Sequence, residues 1–217
     1  MPGNHQTVIT VDPLEPQGDL MARACDIIGR GGVVVFPAKC LYGIAADALN
    51  PAAVARVFEV KRRPRDNPIL VLVNQRQDLE RLVKRVPETA VALMDSFWPG
   101  DVTIVFEAVD DLPGVLTAHT GKIGIRMPQH PVARALIKQL GTPMTGTSAN
   151  ISGARGINRV QDLSPDLVAG VDLVLDAGEL KGGKGSTVVD VTGDTVKVLR
   201  EGEVPEADIL GAVANIH

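Results

Sequence analysis

The chain has 217 residues, 45% hydrophobic and 22% charged, which suits one domain with a full core and excludes a disordered or fibrous polypeptide. Only 3% are aromatic, so the core must be built from Val, Ile, Leu and Ala, and rows of base-stacking rings are excluded. A net charge of −4 gives no global pull on a polyanion, so an anionic ligand has to be caught by a local cluster of cations.

The first 13 residues are polar and carry two prolines, with no apolar stretch of a signal peptide, and no run approaches the ~18 apolar residues of a membrane span. A soluble cytoplasmic protein with no membrane partner is expected. Residues 7–11 alternate and end at Asp12-Pro13, which predicts a first strand. From Asp19 the spacing of Leu20, Met21, Ala24, Ile27 and Ile28 predicts a helix stopped by Gly31-Gly32. Residues 33–36 are wholly apolar, as expected of a strand covered on both faces. Pro51 opens a helix running to about Val60, and residues 69–73 read as another buried strand.

Helices over 77–85 and 88–97 follow, then strands at 102–106 and 123–126 and a helix over 131–140 that separates the latter from the strands beyond. Further strands are predicted around Met144 and at 171–175, 187–191 and 196–199, the last two joined by a hairpin at 192–195. The expected fold is a single-domain α/β protein with one twisted, open mixed sheet. Residues 1–17 would form an N-terminal strand or arm, and 205–217 a short tail.

Several motifs fail. Gly178 to Lys184 has the spacing of a phosphate-binding loop, but Gly185 stands where a magnesium-binding Ser or Thr is required, and a strand follows instead of a helix. His5, His119, His130 and His217 lack metal-ligand spacing, and Cys25 and Cys40 cannot supply a disulfide framework or a Cys-rich zinc site. What remains is a cationic knot, Lys61, Arg62, Arg63 and Arg65, at the end of the helix from Pro51. Pro64 forces Arg63 out of helical geometry. A solvated helix cap is the plain reading of such charges, and a ligand site in the tight turn to Asn67 is the other. Ser148-Ala149-Asn150 lies in a run of small hydroxyl and amide residues after the strand near Met144. Tyr42, the only tyrosine, follows the buried strand at 33–36, and taken alone it reads as a core residue with a bonded hydroxyl.

Together these segments resemble the YrdC-like family, the threonylcarbamoyl-AMP synthases of tRNA modification. The matching pieces run in family order: Gly32 to Pro37 with Leu41-Tyr42-Gly43; Lys61-Arg62-Arg63-Pro64 with Asn67-Pro68; Phe97-Trp98-Pro99-Gly100; and Ile125-Arg126 with Pro128 and His130-Pro131. Ser148-Ala149-Asn150 with Ser152-Gly153, Ser186-Thr187 with Asp190, and Leu199-Arg200 with Gly202 complete the set, and the likeness covers 18–204. Longer members carry a further C-terminal domain, for which this chain has no room.

The resemblance implies a concave, basic cavity and a nucleotidyltransferase that joins L-threonine, bicarbonate and ATP into threonylcarbamoyl-AMP and pyrophosphate. A downstream transferase complex would pass the group to tRNA, itself a weak partner at most. By family position Lys61, Arg63, Ser148, Asn150 and Arg200 would bind ATP, and Tyr42, Asn67, Arg126 and Ser186 would bind L-threonine. Magnesium is implied with the ATP phosphates and not in a protein cage, Ser148 and Asn150 being the candidates to touch it or its waters. The chain departs from the family where Ala38-Lys39-Cys40 replaces a Thr-acid-Thr run, and where Asn67 replaces a common His. The competing readings are an RNA-binding protein using the same surface without catalysis, and a related carbamoyl-adenylate enzyme with another substrate. The low net charge and the short extent of the basic cluster disfavour the former.

Overall fold

In the computed structural model the run 33–36 is fully buried because cores lie against both faces of its strand. The structure describes residues 7–214 and 216. In chain order it holds β1 (Thr7–Thr10), α1 (Gly18–Gly29), β2 (Val34–Pro37), β3 (Tyr42–Ala45), α2 (Pro51–Lys61) and β4 (Val71–Leu72). There follow α3 (Glu88–Phe97), β5 (Val102–Glu107), β6 (Lys122–Arg126), α4 (Pro131–Leu140), β7 (Met144–Thr145) and β8 (Thr147–Ser148). Last come α5 (Pro165–Gly170), β9 (Leu173–Asp176), β10 (Thr187–Asp190), β11 (Lys197–Arg200) and α6 (Glu206–Val213).

The mixed α/β class is as expected, but the strands form two sheets where one was predicted. The first has the order β1-β9-β2-β3-β8 and the second β11-β10-β5-β6-β4-β7. Side-chain alternation shows why two are needed. Val33 and Val35 enter a core shared with Ile104, Phe106 and Ile125 of the second sheet, while Val34 and Phe36 enter another beneath Ile28 of α1 and Leu136 of α4. The sheets meet where β7, paired to β4, runs directly into β8, paired to β3. Gly146 makes that crossing. A Cβ there would lie 2.5 Å from Leu72 Cγ and 2.8 Å from Leu70 Cδ1, so no larger residue fits without moving both leucines.

Other differences have local causes. The strand expected over 69–73 shrinks to Val71–Leu72, and the helix expected over 77–85 is a 3-10 turn, Arg76–Arg81. Beyond that turn Lys84 N bonds Glu107 O, drawing the chain against β5. β3 was not foreseen, and neither was α5, although Ser164 caps it by accepting from Leu167 N at 3.3 Å and Pro165 takes its first position. The segment expected as a tail carries α6, whose Ile209 is buried and which packs on α3. The 192–195 hairpin is present, joining antiparallel β10 and β11. Residues 1–6 of the expected arm, with His5, and also His217, lie outside the described residues. Among the described residues no helix is long and apolar enough to cross a membrane.

Candidate active site

The cationic knot divides in space. Asn50 caps α2, its side chain accepting from Ala52 N at 3.0 Å and Ala53 N at 3.3 Å, and the helix ends on Arg62 in the left-handed conformation, φ 49°. That bend turns Arg62 outward to Asp166, 2.7 Å away, and leaves Lys61 inside at 1% exposure. The Lys61 amine donates to the carbonyls of Ser148 and Asn150, the latter at 2.8 Å, and its own carbonyl accepts from Ser152 N at 2.8 Å. Main chain and side chain of one lysine therefore clasp the whole 148–152 turn.

Within that turn Ser148 Oγ donates to Asn150 Oδ1, and Asn150 Nδ2 donates to the carbonyls of Ile151 (2.8 Å) and Ala154 (2.7 Å). The two stretches singled out in sequence are thus one unit. Lys61 and Asn150 do not, however, line the neighbouring cavity, while Ser148 and Arg63 do. The Lys61 amine bonds two carbonyls of the turn, so the part it plays at this site is to grip the turn that carries Ser148.

Burial first, and the charge of Arg63 second, push the Lys61 amine down to about 7. An unfolded lysine keeps its proton to about pH 10.4. From about pH 7 upward the unfolded state therefore holds a proton that the folded state lacks, and stability rises with pH by up to about 1.4 kcal/mol per unit. The Cys25 thiol, pushed up to about 11 by burial, offsets that gain above about pH 9. Melting temperatures between about pH 7 and pH 8.5 are expected to climb in this protein and to lose most of that climb in Lys61→Met. Equal slopes in both proteins would dismiss Lys61 as the titrating group.

The cavity has a volume of about 650 Å³ and occupies the face of the second sheet turned away from its core. Val102, Ile104 and Phe106 point into the core, and Thr103 and Val105 into the cavity. Lys122, Gly124 and Arg126 do the same on β6, and Ser186, Val188 and Asp190 along β10. This period-2 series of polar and small residues was present in the sequence. Arg126 and Ser186 stood out in it by family position, whereas Thr103, Lys122 and Gly124 are marked only by alternation with apolar neighbours.

In the cavity wall Arg63 donates from Nε to Asn67 O (2.9 Å) and from Nη2 to Asn67 Oδ1 and Pro68 O (both 2.8 Å). Arg200 donates to Ser186 O at 2.7 Å, and Ser186 Oγ lies 2.8 Å from Thr103 Oγ1. Neither arginine is paired with a carboxylate among the described residues. Burial, and then the charge of Arg200, disfavour the Arg63 cation. Two close guanidiniums without a counter-charge make an anion-binding pole.

Arg126, which also feels the charge of Arg200, is 7% exposed, with Nη1 3.6 Å from Asp101 Oδ1 and with Nε bonded to nothing among the described residues. Asp101 Oδ2 pairs with the Lys39 amine. Tyr42 contributes to the wall but is fully buried, its hydroxyl donating to Gly178 O at 2.7 Å and accepting from Ala177 N at 3.0 Å. Cys40 lies in the same wall, its thiol pushed up by burial and next by Glu203, so it stands as a neutral group and not a nucleophile. The glycine run 178–185 opens into β10 and not a helix, in line with the failed phosphate-loop reading. Among the described residues no group of three His, Cys, Asp or Glu could hold a metal ion.

The profile of the Sua5/yciO/yrdC family, described as telomere recombination, matches residues 26–202. The chain belongs to the Sua5/YciO/YrdC family. A Mycobacterium tuberculosis member named putative threonylcarbamoyl-AMP synthase is 38% identical over 212 residues, covering 96% of this chain and 97% of that one. A Pyrococcus abyssi member named threonylcarbamoyl-AMP synthase is 36% identical over 193 residues, 89% of this chain and 57% of that one. The crystal structure of P. abyssi Sua5 complexed with L-threonine superposes with a TM-score of 0.91 at 34% identity, over 96% of this chain and 61% of that one. This Sua5/YciO/YrdC chain thus spans about three fifths of the length of its Pyrococcus relative. The expected YrdC-like fold is confirmed by that superposition.

Proposed function

We propose that the chain is a threonylcarbamoyl-AMP synthase, forming the adenylate from L-threonine, bicarbonate and ATP on the way to threonylcarbamoyladenosine in tRNA. The reading rests on one cavity holding an unneutralised arginine pair, Arg63 and Arg200, with a third arginine, Arg126, beside Asp101, in a family with members named for this activity. Carboxylation joins the threonine amine to bicarbonate with loss of water. An oxygen of the resulting carbamate then attacks the α-phosphorus in line, the bond to the bridging oxygen breaks, and pyrophosphate leaves.

No protein nucleophile is required, because this transfer is driven by positioning and charge neutralisation. Arg63 and Arg200 grip the phosphates, and Ser148 contributes its position at the edge of the cavity. Arg126 takes the threonine carboxylate, while Asn67, Ser186 and Tyr42 shape the amino-acid side. Lys61 and Asn150 hold the 148–152 turn in place. The two cavity carboxylates, Asp101 and Asp190, are both paired with lysines and do not suit a protein-held metal. Magnesium accordingly belongs to the nucleotide substrate. The threonylcarbamoyl group would then be handed to a separate transferase complex.

The test is pyrophosphate release from ATP, magnesium and bicarbonate with L-threonine, L-serine or no amino acid. Release is expected to depend on threonine. The same rate without any amino acid would reduce the protein to a nucleotide hydrolase.

A further inference from the structure

Arg126 and Asp101 lie side by side in the cavity wall, each with bonding capacity left over. Arg126 has an unpartnered Nε, and Asp101 Oδ1 lies 3.6 Å from Arg126 Nη1, too far for a hydrogen bond. Asp101 Oδ2 is held by the Lys39 amine, but Oδ1 accepts from no donor among the described residues. The only other carboxylate lining the cavity is saturated: Asp190 accepts from Lys122 at 2.8 Å, and from Thr192 N and Oγ1 at 2.8 and 2.7 Å. A free amino acid carries its ammonium one carbon from its carboxylate. It therefore needs an anion beside a cation, and Asp101 beside Arg126 is that pair.

The segment Ala38-Lys39-Cys40 gives this pairing its meaning. The family resemblance expects an acid at position 39, and the chain has a lysine there. In space the lost carboxylate is restored from 62 residues away, because Lys39 closes onto Asp101 at the start of β5. We propose that Asp101 is the acceptor for the ammonium group of the amino-acid substrate, with Lys39 as the positioning residue that fixes its carboxylate. This deepens the synthase reading and rests on it. The amine due to be carboxylated is then anchored at Asp101 Oδ1 while Arg126 holds the α-carboxylate. Selection for an α-amino acid is built into the wall.

The experiment measures binding of L-threonine and of 3-hydroxybutyrate, which keeps the carboxylate and hydroxyl but lacks the amine, to the full chain by calorimetry. It includes Asp101→Asn, Asp101→Glu and Lys39→Met, with ATP affinity as the check that each variant is folded. Wild type is expected to prefer threonine by about tenfold or more, the worth of a charge-assisted bond. Asp101→Asn should erase that preference while ATP affinity stays within about twofold, and Asp101→Glu should recover part of it. Lys39→Met should weaken threonine less than Asp101→Asn does, since it loosens the acceptor without removing it. An intact threonine preference in folded Asp101→Asn overturns the assignment of Asp101 alone. Wild type that binds no threonine overturns the synthase reading and this inference together.

Discussion

Replacing Lys61 by alanine is expected to cut threonine-dependent pyrophosphate release by about a hundredfold and to lower stability by about 2 kcal/mol. The first figure follows from misplacement: a shift of about 1 Å in groups that align a reaction costs about that much. Ser148 lines the cavity in a turn whose two carbonyls, its own and that of Asn150, are tied to the Lys61 amine. The second follows from two carbonyls left without a donor, each worth about 1–3 kcal/mol, offset in part because a charge no longer has to be buried. A sequence-level view of Lys61 as a phosphate ligand would have left the fold untouched. Urea denaturation beside the turnover assay separates the two, and an inactive variant as stable as wild type would return Lys61 to the role of phosphate ligand.

Gly202→Ala is expected to destabilise by about 3 kcal/mol, lowering the melting temperature by roughly 6–12 °C for a chain of this size. An added Cβ would stand 2.1 Å from Gly185 O and 2.5 Å from the Ser186 carbonyl carbon. These are main-chain atoms, so no rotamer relieves the clash. The contact also joins Arg200 to Ser186, so prising it apart spoils the arginine pole and ATP affinity should fall with stability. Gly211→Ala is the control, because nothing lies within 4 Å of a Cβ there. A melting temperature unchanged from wild type in Gly202→Ala would mean that this junction is looser than described.

The sequence disclosed what is set by short-range periodicity. Residues 33–36, α1 and the 192–195 turn were all legible because each is dictated by neighbours within one or two turns of chain. β7 and β8, two residues each, were legible only as a strand near Met144, since their pairings to β4 and β3 are made across the fold. The site divides along the same line. Lys61 and Ser148 were found as residue types, but the inward aim of Lys61 depends on carbonyls 87 and 89 positions away. Asp101 carried no local signal, and its meaning comes from Lys39 across 62 residues.

The run Met144–Ser148 is shared main chain, one half laced to each sheet, with Gly146 wedged against Leu70 and Leu72. Sliding one sheet past the other at that edge would drive this backbone into the leucines. The wall of the hollow along this run is therefore backbone common to both sheets, so what one sheet does to that wall the other must follow.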